Sequence, residues 1–118
     1  MEERNECMGA LLRAGNFSED RTVIEKQIER KLKDQVEACI KGAMCLKFES
    51  PGFTGVPDRI LLLPNGVIAF VETKAPGKKE RARQELVQSR IRSLGFQVFS
   101  HVDSEERIAE VLRWCRAQ

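Results

Sequence analysis

Apolar side chains recur every fourth residue at Ile24, Ile28, Leu32, Val36 and Ile40, with Cys39 on the same face. This spacing predicts an amphipathic helix over residues 23–41. Thr22 followed by Glu25 reads as a capping box at its start, and Gly42 as its stop. A short strand follows over residues 44–49, then a loop rich in glycine and proline over 50–57. Two apolar segments, 58–63 and 67–74, flank Pro64-Asn65-Gly66 and predict a hairpin. Their middles are apolar on both faces, as expected of strands covered on both sides. Beyond Gly77 a helix is expected over 79–94, closed by Gly95, and then a strand over 96–101. A last helix begins near Ser104, where Asp103 and Glu106 suit a cap. It shows Ile108, Val111, Leu112 and Cys115 at positions i, i+3, i+4 and i+7. The expected order is thus α-β-β-β-α-β-α, one α/β domain over residues 21–118. Residues 1–20 read as an N-terminal extension: Cys7, Met8, Leu11 and Leu12 have helical spacing, weakened by Gly9, Gly15 and Asn16.

The hairpin loop sets the strand register. A two-residue Asn-Gly turn pairs Pro64 with Val67 and places Arg59 opposite Glu72. A three-residue loop, with Pro64 and Asn65 right-handed and Gly66 left-handed, pairs Leu63 with Val67 and places Asp58 opposite Glu72. Proline suits the first loop position and glycine the last, which favours the second register.

Composition bounds the function more than it specifies it. The chain has 118 residues, 42% hydrophobic and 32% charged, which suits one compact domain. Its net charge is +2, from 20 basic and 18 acidic residues, and so neither demands nor excludes a nucleic-acid partner. Locally, residues 74–83 hold Lys74, Lys78, Lys79, Arg81 and Arg83 against Glu80 alone. Such a stretch is ordinarily a solvated face. No cysteine pair has metal-ligand spacing, and His101 has no ligand partner at useful separation, so reduced thiols are expected. The first residues lack an apolar leader, and the longest apolar run, Val67 to Val71, is too short to span a bilayer. A cytoplasmic protein without a membrane partner is the expectation.

Chemistry enters at Glu72-Thr73-Lys74. Residues two apart on a strand share a face, so Glu72 and Lys74 point the same way. In the favoured register Asp58 lies across from Glu72, with Cβ atoms about 5 Å apart. Two carboxylates so close repel unless a cation separates them, and hard oxygen donors suit Mg²⁺ or Mn²⁺. Such a set serves phosphodiester hydrolysis: the ion polarises phosphate and water, and Lys74 orients the water or offsets the developing charge. Alone, Glu-x-Lys is ordinarily an ion pair and Asp58 a turn cap. Their ordered arrival with Gly55-Val56-Pro57 and the hairpin argues for a site.

The stretch Ser50-Pro51-Gly52, Gly55-Val56-Pro57-Asp58-Arg59, then Phe70-Val71-Glu72-Thr73-Lys74-Ala75-Pro76-Gly77, resembles the VRR-NUC family of the PD-(D/E)XK nuclease superfamily. The resemblance runs through Gln84 and Leu94-Gly95-Phe96. It implies a restriction-endonuclease-like αβββαβ core, a mixed sheet flanked by helices. It implies Asp58, Glu72 and Lys74 as catalytic residues, with Gln84 beside them, and a metal set of Asp58, Glu72, Thr73 and a glutamate of the first helix. Glu25 and Glu29 both qualify. Glu25 already serves the capping box, and Glu29, in Ile-Glu-Arg-Lys-Leu, also resembles archaeal-type Holliday junction resolvases, so Glu29 is chosen. Thr73 replaces the family's usual small or apolar residue, and its side chain is expected to point away from the site. Lys47, Arg59, Lys78, Lys79, Arg81 and Arg83 become candidate DNA-backbone contacts. The resemblance further implies a structure-selective DNA endonuclease, cutting four-way junctions as a homodimer. A monomeric flap or nicking nuclease and a non-catalytic binding module are the alternatives.

Overall fold

A computed structural model describes residues 21–118. The expectations for residues 1–20 lie outside the described residues. Helix α1 (Arg21–Cys39) leads to β1 (Met44–Lys47) and β2 (Arg59–Leu63), then a single 3₁₀ turn (Pro64–Gly66) and β3 (Val67–Thr73). Helix α2 (Ala82–Ser93), β4 (Gln97–Val102) and α3 (Glu105–Arg116) complete the chain. The sheet order is β1-β2-β3-β4, antiparallel except for the β3–β4 pair. This is the mixed α/β sheet expected, because β3 and β4 are joined by a helical crossover that parallel strands require.

One face of the sheet meets α1 and α3. Ile28, Leu32 and Val36 are fully buried there, against Leu61, Ala69, Val71, Ile108 and Leu112. Each such side chain contributes roughly 1.5–3 kcal/mol of transfer free energy. The four-residue spacing of α1 is therefore the stripe that seats it. Helix α2 covers part of the opposite face, with Val87 and Gln88 buried. Cys45 and Cys115 are free and buried, and burial pushes their thiols up to about 12 and about 11. Cys39 is half-buried at the end of α1.

The hairpin has the three-residue loop: Leu63 pairs with Val67, and Arg59 with Val71. Asn65 differs from its expected right-handed form, with φ of 66°, followed by Gly66 at 74°. Asparagine tolerates this conformation better than other non-glycine residues. Helix α2 starts three residues later than the pattern suggests. Residues 78–80 are used first in a turn closed by Lys78 N–H on Ala75 O, and in an anchor made by Glu80. The α3 cap is Ser104, whose hydroxyl accepts from Arg107 N–H, in place of the Asp103–Glu106 pair. Beside β3, strand β4 bulges: Phe99 pairs with Val71 and Val102 with Thr73, so two residues, Ser100 and His101, face one. His101 takes a φ of 56° there, and its N–H donates to the Glu80 carboxylate at 3.0 Å. Among the described residues, no helix is long and apolar enough to cross a membrane.

Candidate active site

The site forms where the ends of β2 and β3 meet the start of α2. Asp58 immediately precedes β2, so its side chain turns across the end of β3. Its Oδ2 accepts from Thr73 N–H at 2.9 Å and from Thr73 Oγ1 at 2.8 Å. Thr73 is thus a direct partner of Asp58. The expectation that its side chain stands clear of the site is corrected, because the Asp58 carboxylate reaches around the strand end to meet it. In return, Asp58 N–H donates to Glu72 Oε1 at 3.1 Å. The two acidic residues are locked by each other's neighbourhood.

Glu72 and Lys74 share the opposite strand face, as the period of two requires. Both are nearly sealed, at 2% and 5% side-chain exposure, with Lys74 Nζ 3.2 Å from Glu72 Oε2. Gln84, in the first turn of α2, reads both: its Nε2 donates to Glu72 Oε2 at 2.9 Å, and its Oε1 accepts from Lys74 Nζ at 2.9 Å. Gln84 Oε1 also accepts from Arg81 N–H, which ties the helix start to the site. Burial first, and then the charge of Asp58, push the Glu72 carboxyl from 4.5 up to about 7, against the opposing pull of Lys74. A group so placed is one that a further positive charge would hold ionised.

Other expected residues lie elsewhere. Glu29 pairs with Arg59, Oε1 to Nε at 2.8 Å, with both side chains about 15% exposed. Arg59 also reaches Cys45 O, so it braces α1 against the sheet. The structure therefore does not bring Glu29 into the Asp58–Glu72–Lys74–Gln84 network. Glu25, one turn nearer the helix start, lies 3.7 Å from Lys78 Nζ. Among the described residues, no group of three or more histidine, cysteine or acidic side chains is gathered closely enough to hold a metal. Lys47, Lys79 and Arg81 are exposed at this end of the molecule. Arg83 is exposed but engaged: its Nε donates to Thr54 O at 3.1 Å and its guanidinium lies 4.8 Å from the Phe53 ring centre.

Sequence reasoning missed Glu80. Its carboxylate receives the bulge N–H of His101 and the Nε2 of buried Gln88 at 2.8 Å. A lone acid in a basic run was the only signal available.

No family model matches the chain. A protein of Acyrthosiphon pisum secondary endosymbiont phage 1, "Putative nuclease p44", is 44% identical over 86 residues, covering 73% of this chain and 89% of that protein. A solved VRR-NUC domain superposes with a TM-score of 0.69 at 30% identity, covering 76% of this chain and 95% of that one. The chain belongs to the VRR-NUC nuclease family. The network of Asp58, Glu72, Lys74 and Gln84 is then the candidate active site of a VRR-NUC nuclease, and the mixed sheet is the scaffold that carries it.

Proposed function

We propose that this VRR-NUC protein is a divalent-metal-dependent, structure-selective DNA endonuclease that acts on four-way junctions as a homodimer. The observation that carries the hydrolytic part is the sealed Glu72–Lys74–Gln84 contact beside Asp58. A buried acid pushed up to about 7 by burial and a second acid calls for more positive charge than Lys74 supplies. Asp58 Oδ2 is engaged by Thr73, while among the described residues its Oδ1 takes no hydrogen bond. This all-oxygen donor set fits Mg²⁺ or Mn²⁺. Asp58 and Glu72 would hold the ion, with Thr73 orienting Asp58. When bound, such an ion neutralises phosphate charge and eases deprotonation of water.

The chain's own residues then have separate roles. Lys74 places an ammonium at the reacting phosphate and offsets charge that develops as water attacks phosphorus and the phosphodiester bond breaks. Gln84 fixes the Nζ direction through its Oε1 and holds the Glu72 carboxylate toward α2, beside Lys74, through its Nε2. The wall of β3 and α2 excludes bulk water from one side of Lys74, which strengthens each of these contacts.

Junction cutting calls for two sites related by a two-fold axis, hence the homodimer. The test is cleavage of a labelled four-way junction, with duplex and flap controls, in Mg²⁺, Mn²⁺ or EDTA. Paired cuts by the wild type, absent in EDTA and reduced on the order of 10²–10³-fold in Lys74→Ala, are expected. Cutting of flaps alone, or a strictly monomeric protein in sedimentation, would overturn the junction reading. No cutting of any substrate would overturn the nuclease chemistry.

A further inference from the structure

Next to the catalytic network, on the same face of the sheet, lies an aromatic cleft that the hydrolytic residues do not use. Phe70 stands two residues before Glu72 on β3, so the two side chains share a face about 7 Å apart along the strand. Phe70 packs against Phe48 and Phe96, each with ring centres 5.7 Å away. Together with Phe53 these rings line a cleft of about 360 Å³ between the 50–57 loop, the sheet and α2. The cleft holds four of the six phenylalanines of the chain. Among the described residues its lining carries one charged side chain, Arg90, and no carboxylate.

The cleft and the active site are neighbours along the same three elements, the 50–57 loop, β3 and α2. Helix α2 presents Gln84 to Glu72 and Lys74, then Val87 and Ile91 to the cleft, at i, i+3 and i+7. The loop likewise presents Val56 to the cleft and, two residues on, Asp58 to the site. Phe53 and Phe96 stay 40% exposed, and Arg83 lies over one face of the Phe53 ring. Flat aromatic faces, arginines at the rim and a phosphate-cutting centre alongside together define one kind of occupant. Paired bases cannot enter such a cleft; an extruded base can, with its phosphate passing toward Lys74.

We infer that this cleft takes an unpaired nucleobase of the substrate strand, stacked on Phe53, and so makes the enzyme prefer distorted over fully paired DNA. The inference rests on the nuclease reading and names the feature of the substrate that the site selects. It does not need a particular base, because every base offers a π-face.

The test uses a duplex with a single bulged 2-aminopurine and the same duplex fully paired. Binding is measured in EDTA by anisotropy and stacking by quenching of the 2-aminopurine. Single-turnover cleavage is measured in Mg²⁺ and Mn²⁺. Variants are Phe53→Leu, Phe53→Trp and Phe96→Leu, all at exposed positions, with thermal melts to verify folding. Wild type is expected to quench the bulged base. Phe53→Leu should lose the quench, and its preference for bulged over paired DNA should fall roughly 5- to 150-fold. Phe53→Trp should keep both. Quenching by Phe53→Leu equal to wild type overturns the inference, as does bound DNA that is never quenched. A Phe53→Leu protein with altered sedimentation and an unaltered quench assigns the cleft to a second copy of the chain and also overturns it. Quenching without any metal-dependent cutting keeps the cleft and sinks the hydrolytic reading. Lys74-dependent cutting without quenching does the reverse.

Discussion

At the scale of the residue, the carboxylate of Glu72 is held at 2% exposure beside one cation and one other acid. Its folded value of about 7 lies above the 4.5 of an unperturbed glutamate. For an acid raised in this way the folded state binds the proton more tightly than the unfolded state. The metal-free protein is therefore favoured at low pH and loses stability as pH climbs from about 4.5 through about 7. Glu72→Gln keeps the shape and a carbonyl acceptor while removing the charge. It is expected to stabilise the metal-free protein at pH 8 by on the order of 1–3 kcal/mol, with the gain vanishing near pH 4. The same variant should have no nuclease activity. Urea unfolding of both proteins in EDTA across that range checks it; equal stability at pH 8 would show that Lys74 compensates the buried acid in full. Gln84→Ala removes one contact from each of Glu72 and Lys74. Cleavage should fall about tenfold or more, with binding of DNA in EDTA unchanged, since the side chain is half-buried behind them.

At the scale of the element, the 50–57 loop is what brings Asp58 to β3, and it lies directly on α2. Gly55 has a φ of 92°, and a Cβ there would sit 2.9 Å from Arg83 Cγ and 3.1 Å from both Arg83 O and Val87 Cγ2. The backbone oxygen cannot yield as a side chain can. Gly55→Ala should cost roughly 1–3 kcal/mol in thermal unfolding, and more in cleavage than in stability, because the displaced loop carries Asp58 with it. A variant with full activity would show that the loop and Asp58 move independently. The elements themselves were largely legible. The α1 stripe, the hairpin register and the α3 face each obey a periodicity that burial enforces, and Leu63 opposite Val67 follows from the turn chemistry. The pairing of Asp58, Glu72 and Lys74 follows from that register. What the pattern did not reveal depends on single side chains choosing among partners. Glu29 has the right helical phase for a site yet meets Arg59, because Arg59 faces α1 on the same side of the sheet as Leu61. Thr73 meets Asp58 around a strand end, and Glu80 supports a bulge that has no signature in a run of alternating residues.

At the scale of the whole molecule, a net charge of +2 offers little general attraction for DNA, so affinity must come from where the charges stand. The six basic residues expected to meet phosphate divide once their partners are known. Arg59 and Arg83 are structural: one braces α1 through Glu29, the other clamps the 50–57 loop through Thr54 O and Phe53. Lys78 leans toward Glu25 at 3.7 Å. Lys79 and Arg81 are exposed on the segment between Lys74 and α2, where they flank the active site; Arg81 caps α2 through its backbone N–H, which a side-chain substitution leaves in place. Replacing both by glutamine should leave the melting temperature within about 2 °C, since surface changes of this kind rarely exceed ±0.5 kcal/mol. DNA affinity should fall alike for junction and duplex, because phosphate contacts carry no sequence or shape information. If each residue neutralises one phosphate, the slope of log affinity against log salt concentration should become shallower by roughly 1.8. Arg83→Ala should show the opposite pattern, a lower melting temperature and poorer cleavage with a salt slope nearly unchanged. Titrations at several salt concentrations for the two proteins separate these outcomes. An unchanged slope in the Lys79/Arg81 double variant would place the DNA track on the other side of the site, along Lys47 and β1.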